Sequence, residues 1–255
     1  MPYTIMLDAG HGGSDPGAVF EGRQEKDDTL KLTMAVGDIL KANGVNVLYT
    51  RTSDIYQTPF EKARIANESG ADYFISFHRN SSPQANQYNG AEVLVYNKEG
   101  IKYEMAKNIL GALGEVGFRE IGVKERPGLV VLRRTKMPAL LVEAGFINSQ
   151  QDNALFDEKF SEMARGIAEA ILGTLDEETT QEQERYYRVQ TGAFRNRENA
   201  DRLLYNLLDN GYPAFLLYDD GLFKVQVGAF QQIGNAIRME QRLRDAGYST
   251  VIVTK

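Results

Sequence analysis

Along residues 3–175, short apolar runs alternate with stretches in which apolar residues recur every three or four positions. The runs at 3–8, 45–49, 73–77, 91–96 and 139–142 have strand length and are apolar almost throughout, as strands covered on both faces are. Helical spacing marks residues 25–42, where Leu30, Leu32, Met34, Val36, Ile39 and Leu40 include the spacing of a buried face and Gly44 supplies a stop. Further helices are expected at 59–69, 100–115 and 152–175. Alternating strands and helices of this kind predict an α/β domain with a mostly parallel sheet flanked by helices.

The pattern then breaks. Residues 176–184 carry five acidic side chains, no basic ones and almost nothing apolar, and read as a self-repelling linker. A repeat follows. Tyr187-Arg188-Val189-Gln190-Thr191-Gly192-Ala193-Phe194 recurs 36 residues on as Phe223-Lys224-Val225-Gln226-Val227-Gly228-Ala229-Phe230. A helical pattern, a Gly-Tyr pair and a further strand follow each copy. The tail is therefore expected to be a small βαββαβ, ferredoxin-like α+β domain. The expected division is 1–175, a linker over 176–185, and 186–255.

Charge and composition narrow the function. The 255 residues carry a net charge of -6, which argues against binding nucleic acid through its phosphates. The acidity hides a tail, from 185 on, with a net charge of +3. Cysteine is absent, which excludes disulfides, thiolate metal sites and a cysteine nucleophile. No stretch reaches the roughly 18 apolar residues of a membrane span. No basic head precedes a long apolar run at the start, so no signal peptide is recognisable and cytoplasmic synthesis is expected.

Only two histidines occur, His11 and His78, and each falls just after an expected strand. Glu143 ends another. Sites in open α/β sheets form at such strand ends. Two imidazoles with carboxylates suit a catalytic zinc, which keeps one position for water and needs an unligated carboxylate as proton acceptor. From spacing alone the second acid is Asp8, Asp15, Glu21 or Glu25. No His-Glu-x-x-His pattern is present, which excludes a zinc site built on one helix. The glycines at 10, 12, 13 and 17 allow a sharp turn beside His11, and no Gly-Lys-Ser/Thr ending marks a phosphate loop.

Four ordered motifs carry a resemblance. They are Leu7-Asp8-Ala9-Gly10-His11-Gly12-Gly13-Ser14-Asp15-Pro16-Gly17-Ala18, Glu25-Lys26, Ser76-Phe77-His78-Arg79-Asn80, and Leu141-Val142-Glu143-Ala144-Gly145-Phe146. Residues 3 to about 175 resemble the zinc-dependent N-acetylmuramoyl-L-alanine amidases of bacterial cell-wall turnover. The resemblance implies one zinc ion per chain, held by His11, Glu25 and His78, with Glu143 as the catalytic glutamate. It implies hydrolysis of the amide between the lactyl group of N-acetylmuramic acid and L-alanine. Asn80 is expected to orient substrate or a loop. Lys62 stands where the family commonly has arginine, and neither it nor Arg64 receives a role.

The tail resembles the SPOR domain, a peptidoglycan-binding module. In strands, Val189 and Val225 should face the helices and leave Gln190 and Gln226 exposed on the open sheet face to bind glycan. The whole layout resembles spore mother-cell lytic amidases. The implied partner is peptidoglycan, both stem peptide and glycan strand. A monomer is expected, acting on the cell wall after release by lysis or after trimming of a leader, with no nucleic acid and no membrane insertion. Two rivals are a non-catalytic wall-binding or regulatory protein on the same scaffold, and a zinc peptidase cutting stem peptides. The first needs a broken site, and both histidines and both glutamates are present.

Overall fold

The computed structural model describes residues 3–184 and 186–254, without the side chains of 180–184. The chain divides into two compact units, Met1–Asp176 and Glu177–Lys255.

The larger unit is built on a six-stranded sheet. Its strands are β1 (Thr4–Ala9), β4 (Asn46–Tyr49), β5 (Tyr73–Asn80), β6 (Ala91–Val95), β7 (Glu120–Glu125) and β8 (Ala139–Phe146). The order across the sheet is β4-β1-β5-β8-β6-β7. The first four of these are mutually parallel. β6 runs antiparallel to β8, and β7 runs parallel to β6. A two-residue hairpin, β2 (Val19–Phe20) and β3 (Arg23–Gln24), leads into α1 (Glu25–Ala42). The remaining helices are α2 (Pro59–Ser69), α3 (Ile101–Val116), α4 (Val130–Arg133), α5 (Gln150–Glu158) and α6 (Phe160–Glu184), the last of which runs past the end of this unit at Asp176.

Each face of the sheet has its own core. On one side Leu32, Val36 and Leu40 of α1, Ile109 and Leu113 of α3, and Ile167 and Ile171 of α6 pack on Ile5, Leu7, Ile75 and Val142. On the other, Ala66 of α2 and Val131 and Leu132 of α4 pack on Met6, Phe74 and Leu141. Covering both faces buries the strands, which is why they read as continuous apolar runs. α2 starts on a capping box, with Thr58 and Glu61 each bonding the other's backbone N–H, and ends at Gly70 in the left-handed region.

The sequence reading needs three corrections here. The expected helix over 152–175 is two helices, α5 and α6. The acidic run, read as a linker or as a solvated helix extension, is the second of these in form: it is helical through Glu184, because its Glu and Gln residues are good helix formers and no Gly or Pro interrupts them. Residue 185, the end of that expected linker, lies outside the described residues. β7 and α4 were not anticipated: β7 has no fully buried residue, and α4 is only four residues long.

The smaller unit is βαββαβ. Its elements are β9 (Tyr187–Phe194), α7 (Arg197–Asp209), β10 (Ala214–Asp219), β11 (Leu222–Phe230), α8 (Ile233–Asp245) and β12 (Val251–Thr254). The antiparallel sheet runs β10-β11-β9-β12. Val189, Val225 and Val227 pack with Ala200 and Leu207 of α7 and Ala236 and Leu243 of α8, so both helices cover one face. Among the described residues, no helix is long and apolar enough to cross a membrane.

Candidate metal centre and active site

The site lies at the carboxyl ends of β1, β5 and β8. β1 leads into a loop in which His11 takes φ 60°, the left-handed region that non-glycine residues rarely occupy. Such backbone costs on the order of 1–3 kcal/mol and persists only when its surroundings enforce it. Two buried cations provide the enforcement. Lys62 Nζ donates to the carbonyls of Ala9 at 2.5 Å and His11 at 3.5 Å, and to Asp8 Oδ1 at 2.8 Å. Arg51 donates to the carbonyls of Ala9, Gly10 and Lys26. Asp8 is fully buried and also accepts from Thr50 and Ser76, both at 2.6 Å. Burial alone would raise the Asp8 carboxyl, but Lys62 and the two hydroxyls outweigh it and hold it below the usual range.

Glu25 opens α1, and its carboxylate lies between the two imidazoles. His11 Nε2 is 3.2 Å from one oxygen and His78 Nδ1 is 2.9 Å from the other. Backbone N–H groups of Ala18 and Arg79 donate to the same two oxygens. Donor atoms of His11, Glu25 and His78 all lie within 4.8 Å of one another. Two glycines make room for them. A Cβ at Gly10 would sit 2.5 Å from the His78 ring, and one at Gly17 would sit 2.6 Å from both Glu25 and His11. Two imidazoles and a carboxylate, gathered this closely, fit a divalent metal of the zinc type.

Electrostatics point the same way. Burial opposes the charge on Glu25, but hydrogen bonds and charge from His11 and His78 drive its carboxyl far below the usual range. Burial likewise opposes the charge on His11, yet Glu25 and Asp15 raise its pKa to about 9. The same surrounding negative charge that favours a proton on His11 would favour a bound cation. Asp15 Oδ2 lies 2.8 Å from His11 Nδ1 and fixes the ring through the nitrogen that Glu25 does not face.

Glu143 on β8 stands directly beside His78 on β5, as its cross-strand partner. Burial pushes its carboxyl up to about 7, with the charges of Glu25 and Glu92 adding to that and His78 and His11 opposing it. Its Oε2 is buried and has no hydrogen-bond partner among the described residues.

The four candidates for the second acid are therefore separated by the fold. Glu25 joins the histidines, Asp15 orients His11, Asp8 anchors the loop from below, and Glu21 sits in the β2–β3 turn with φ 49°. Lys62 and Arg51 hold the loop; Lys62 stands where the family commonly has arginine, while no sequence signal announced Arg51. Arg64, the other candidate for the family's arginine, is exposed and pairs with Glu68. Asn80 Nδ2 donates to Glu92 Oε1 at 2.8 Å, and its Oδ1 accepts from the Ser81 N–H.

In the smaller unit, Val189 and Val225 face the helices. Gln190 is partly buried. Gln226 departs from expectation: it is buried rather than exposed, with Nε2 3.4 Å from Gln190 Oε1 and its own Oε1 without a partner. The two copies of the repeat pair across β9 and β11, so their glutamines meet each other before they meet solvent.

Residues 5–173 match the N-acetylmuramoyl-L-alanine amidase family, and residues 183–254 match the SPOR domain. The chain belongs to this amidase family. It is 37% identical over 222 residues to a sporulation-specific N-acetylmuramoyl-L-alanine amidase of Bacillus subtilis, covering 85% of each chain. Among solved structures, an N-acetylmuramoyl-L-alanine amidase from Clostridium difficile 630 superposes with a TM-score of 0.64 at 33% identity, covering 69% of this chain and 97% of that one. The catalytic domain of CwlV from Bacillus (Paenibacillus) polymyxa gives 0.63 at 32% identity, covering 68% and 98%. These family structures share the mostly parallel sheet flanked by helices.

Proposed function

We propose that the chain hydrolyses the amide between the lactyl group of N-acetylmuramic acid and L-alanine of the stem peptide, with His11, Glu25 and His78 holding one zinc ion and Glu143 as general base. The observation that carries this reading is the meeting of two imidazoles and a carboxylate beside a buried carboxyl with a free oxygen. These three side chains would hold the ion, which when bound would supply acidification of a water and polarisation of the substrate carbonyl.

The protein's own part is proton handling and orientation. With its carboxyl near 7, Glu143 is poised to accept the proton of the attacking water at neutral pH and to return it to the leaving amine. Its free Oε2 is the atom available for that proton. Asp15 fixes the His11 ring, and Lys62 and Arg51 fix the backbone that carries it.

The smaller unit is read as the glycan-holding module, acting at the cell wall as a monomer. Its uncovered sheet face presents Gln190, with Gln226 as a buried prop rather than a contact. Tethering such a module to a hydrolase raises the local substrate concentration even when its own affinity is low.

Mass spectrometry of fragments released from purified peptidoglycan, with and without a chelator, tests the reading. Peptides with L-alanine at a new amino terminus, absent under chelation, are expected. Cuts inside the stem peptide would replace the amidase with a peptidase. Retained glycan with no release would replace it with a binding protein.

A further inference from the structure

Two cavities flank the His11–Glu25–His78 group. One, of about 280 Å³, touches His11 and His78 and has largely apolar walls that include Pro59, Leu129, Val130 and Leu141. The other, of about 390 Å³, is lined by residues of β5, β8, β6 and β7 and of the segments beside them, including Asn80, Tyr88, Glu92, Arg119, Lys124 and Phe146. In the sheet, Glu143 lies between His78 and Glu92, which lines the second cavity. His78, Glu143 and Glu92 are successive cross-strand partners on β5, β8 and β6, so this cavity begins one strand beyond Glu143.

The charges in the second cavity do not cancel. Glu92 is buried, held by Asn80 through one oxygen and ion-paired with Lys124 through the other. That pair is neutral. Arg119 is exposed, and among the described residues no partner of its guanidinium is found. Its neighbour Glu120 does not neutralise it, because that carboxylate lies against Gly114 of α3. One positive charge is left over. Tyr88 and Phe146, with ring centroids 6.2 Å apart, form an aromatic wall beside it.

The substrate class read above has unlike halves. The acyl half is a neutral sugar ether, while the amine half is a peptide bearing free carboxylates. Glu143 returns its proton to the amine, so the amine half must lie on Glu143's side of the metal ligands. That is the side of the charged cavity. We propose that this cavity is the stem-peptide subsite and that Arg119 takes a peptide carboxylate there, which leaves the apolar cavity for the sugar. The assignment rests on the amidase reading and adds a direction to it.

The test uses the zinc-loaded full chain and two soluble muropeptides that differ only in whether the peptide carboxylates are free or amidated. KM for the free acid should be roughly three- to tenfold lower than for the amide. Arg119→Gln should bring the ratio of the two KM values toward one through the free acid, with kcat changing less than KM. Arg119→Lys should restore most of the ratio. Titration of the free stem peptide into the metal-free protein should show the same loss for Arg119→Gln. An unchanged ratio in Arg119→Gln, with the wild type active, overturns the subsite and leaves the amidase reading standing. A wild type that releases no L-alanine-terminated peptide from either substrate overturns both.

Discussion

The two units treat charge in opposite ways. The larger buries Asp8, Glu25, Arg51, Lys62, Arg79 and Glu92 around one end of its sheet. In the smaller, the buried polar side chains among the described residues are Thr191 and Gln226. The larger sheet is covered on both faces and the smaller on one. Removing charge from water is expensive unless every charge is matched. The larger unit meets that cost where bonds are to be broken, because oriented charge in a dry site acts more strongly than in water. A surface that only holds a polymer needs an open face, and the smaller unit keeps one.

The sharpest way to break this contrast is Glu143→Ala. It should lower turnover by about 10²–10⁴-fold while leaving metal content and the melting temperature unchanged or slightly raised, since it removes a buried carboxyl with an unsatisfied oxygen. Retained activity would remove Glu143 from the mechanism. Next in size is Lys62→Met, which strands Asp8 as an unpaired buried charge and should cost about 3–5 kcal/mol in denaturant unfolding. A loss below 1 kcal/mol would show that the loop is held without Lys62.

Acid should find the same pair. Asp8 has a folded pKa depressed below its ordinary 3.8, so its stabilisation is fully present above about pH 4 and fades as pH falls through the folded value. The stability gap between wild type and Asp8→Asn, measured by denaturation at several pH values, should be constant near neutrality and shrink only in acid. A gap that changes around pH 6–7 would assign the effect to another group. The smallest effect is expected in the open sheet. Gln190→Ala should weaken glycan binding roughly two- to fivefold, read by sedimentation with purified glycan, and leave turnover of soluble muropeptides alone.

Much of the fold was legible because burial on two faces writes itself as apolar runs, and α1 and α2 were placed by their periodicity. β7 escaped because an edge strand with partly buried residues looks polar. The acidic run left two readings open, because charge repulsion argued for a linker while helix propensity favoured an extension of α6. In the site, the two histidines stood out by rarity. Which acid joined them did not follow from spacing, because Asp8, Asp15 and Glu25 all sit near His11 in sequence and only the fold separates them. Lys62 was legible only as standing where the family commonly has arginine, without a role, since a lysine on a helix is ordinarily solvated, and Arg51, between β4 and α2, gave no signal. Gln226 was misjudged because alternation sets the face a residue occupies, while its cross-strand neighbours set how much of it reaches water.

The strand that carries Glu143 is the last of the six to be synthesised, yet it lies between β5 and β6. A ribosome that has reached residue 138 has made His11, Glu25 and His78 and five strands of this sheet. The sheet still lacks its middle, with β6 and β7 unjoined to the rest and two strand edges open. Only when residues 139–146 emerge can the gap close, and the same eight residues carry Glu143, the proposed proton acceptor. On the proposed mechanism a partly translated chain would be inert, and a chain cut short before that point would expose edges that invite aggregation and disposal rather than stray hydrolysis.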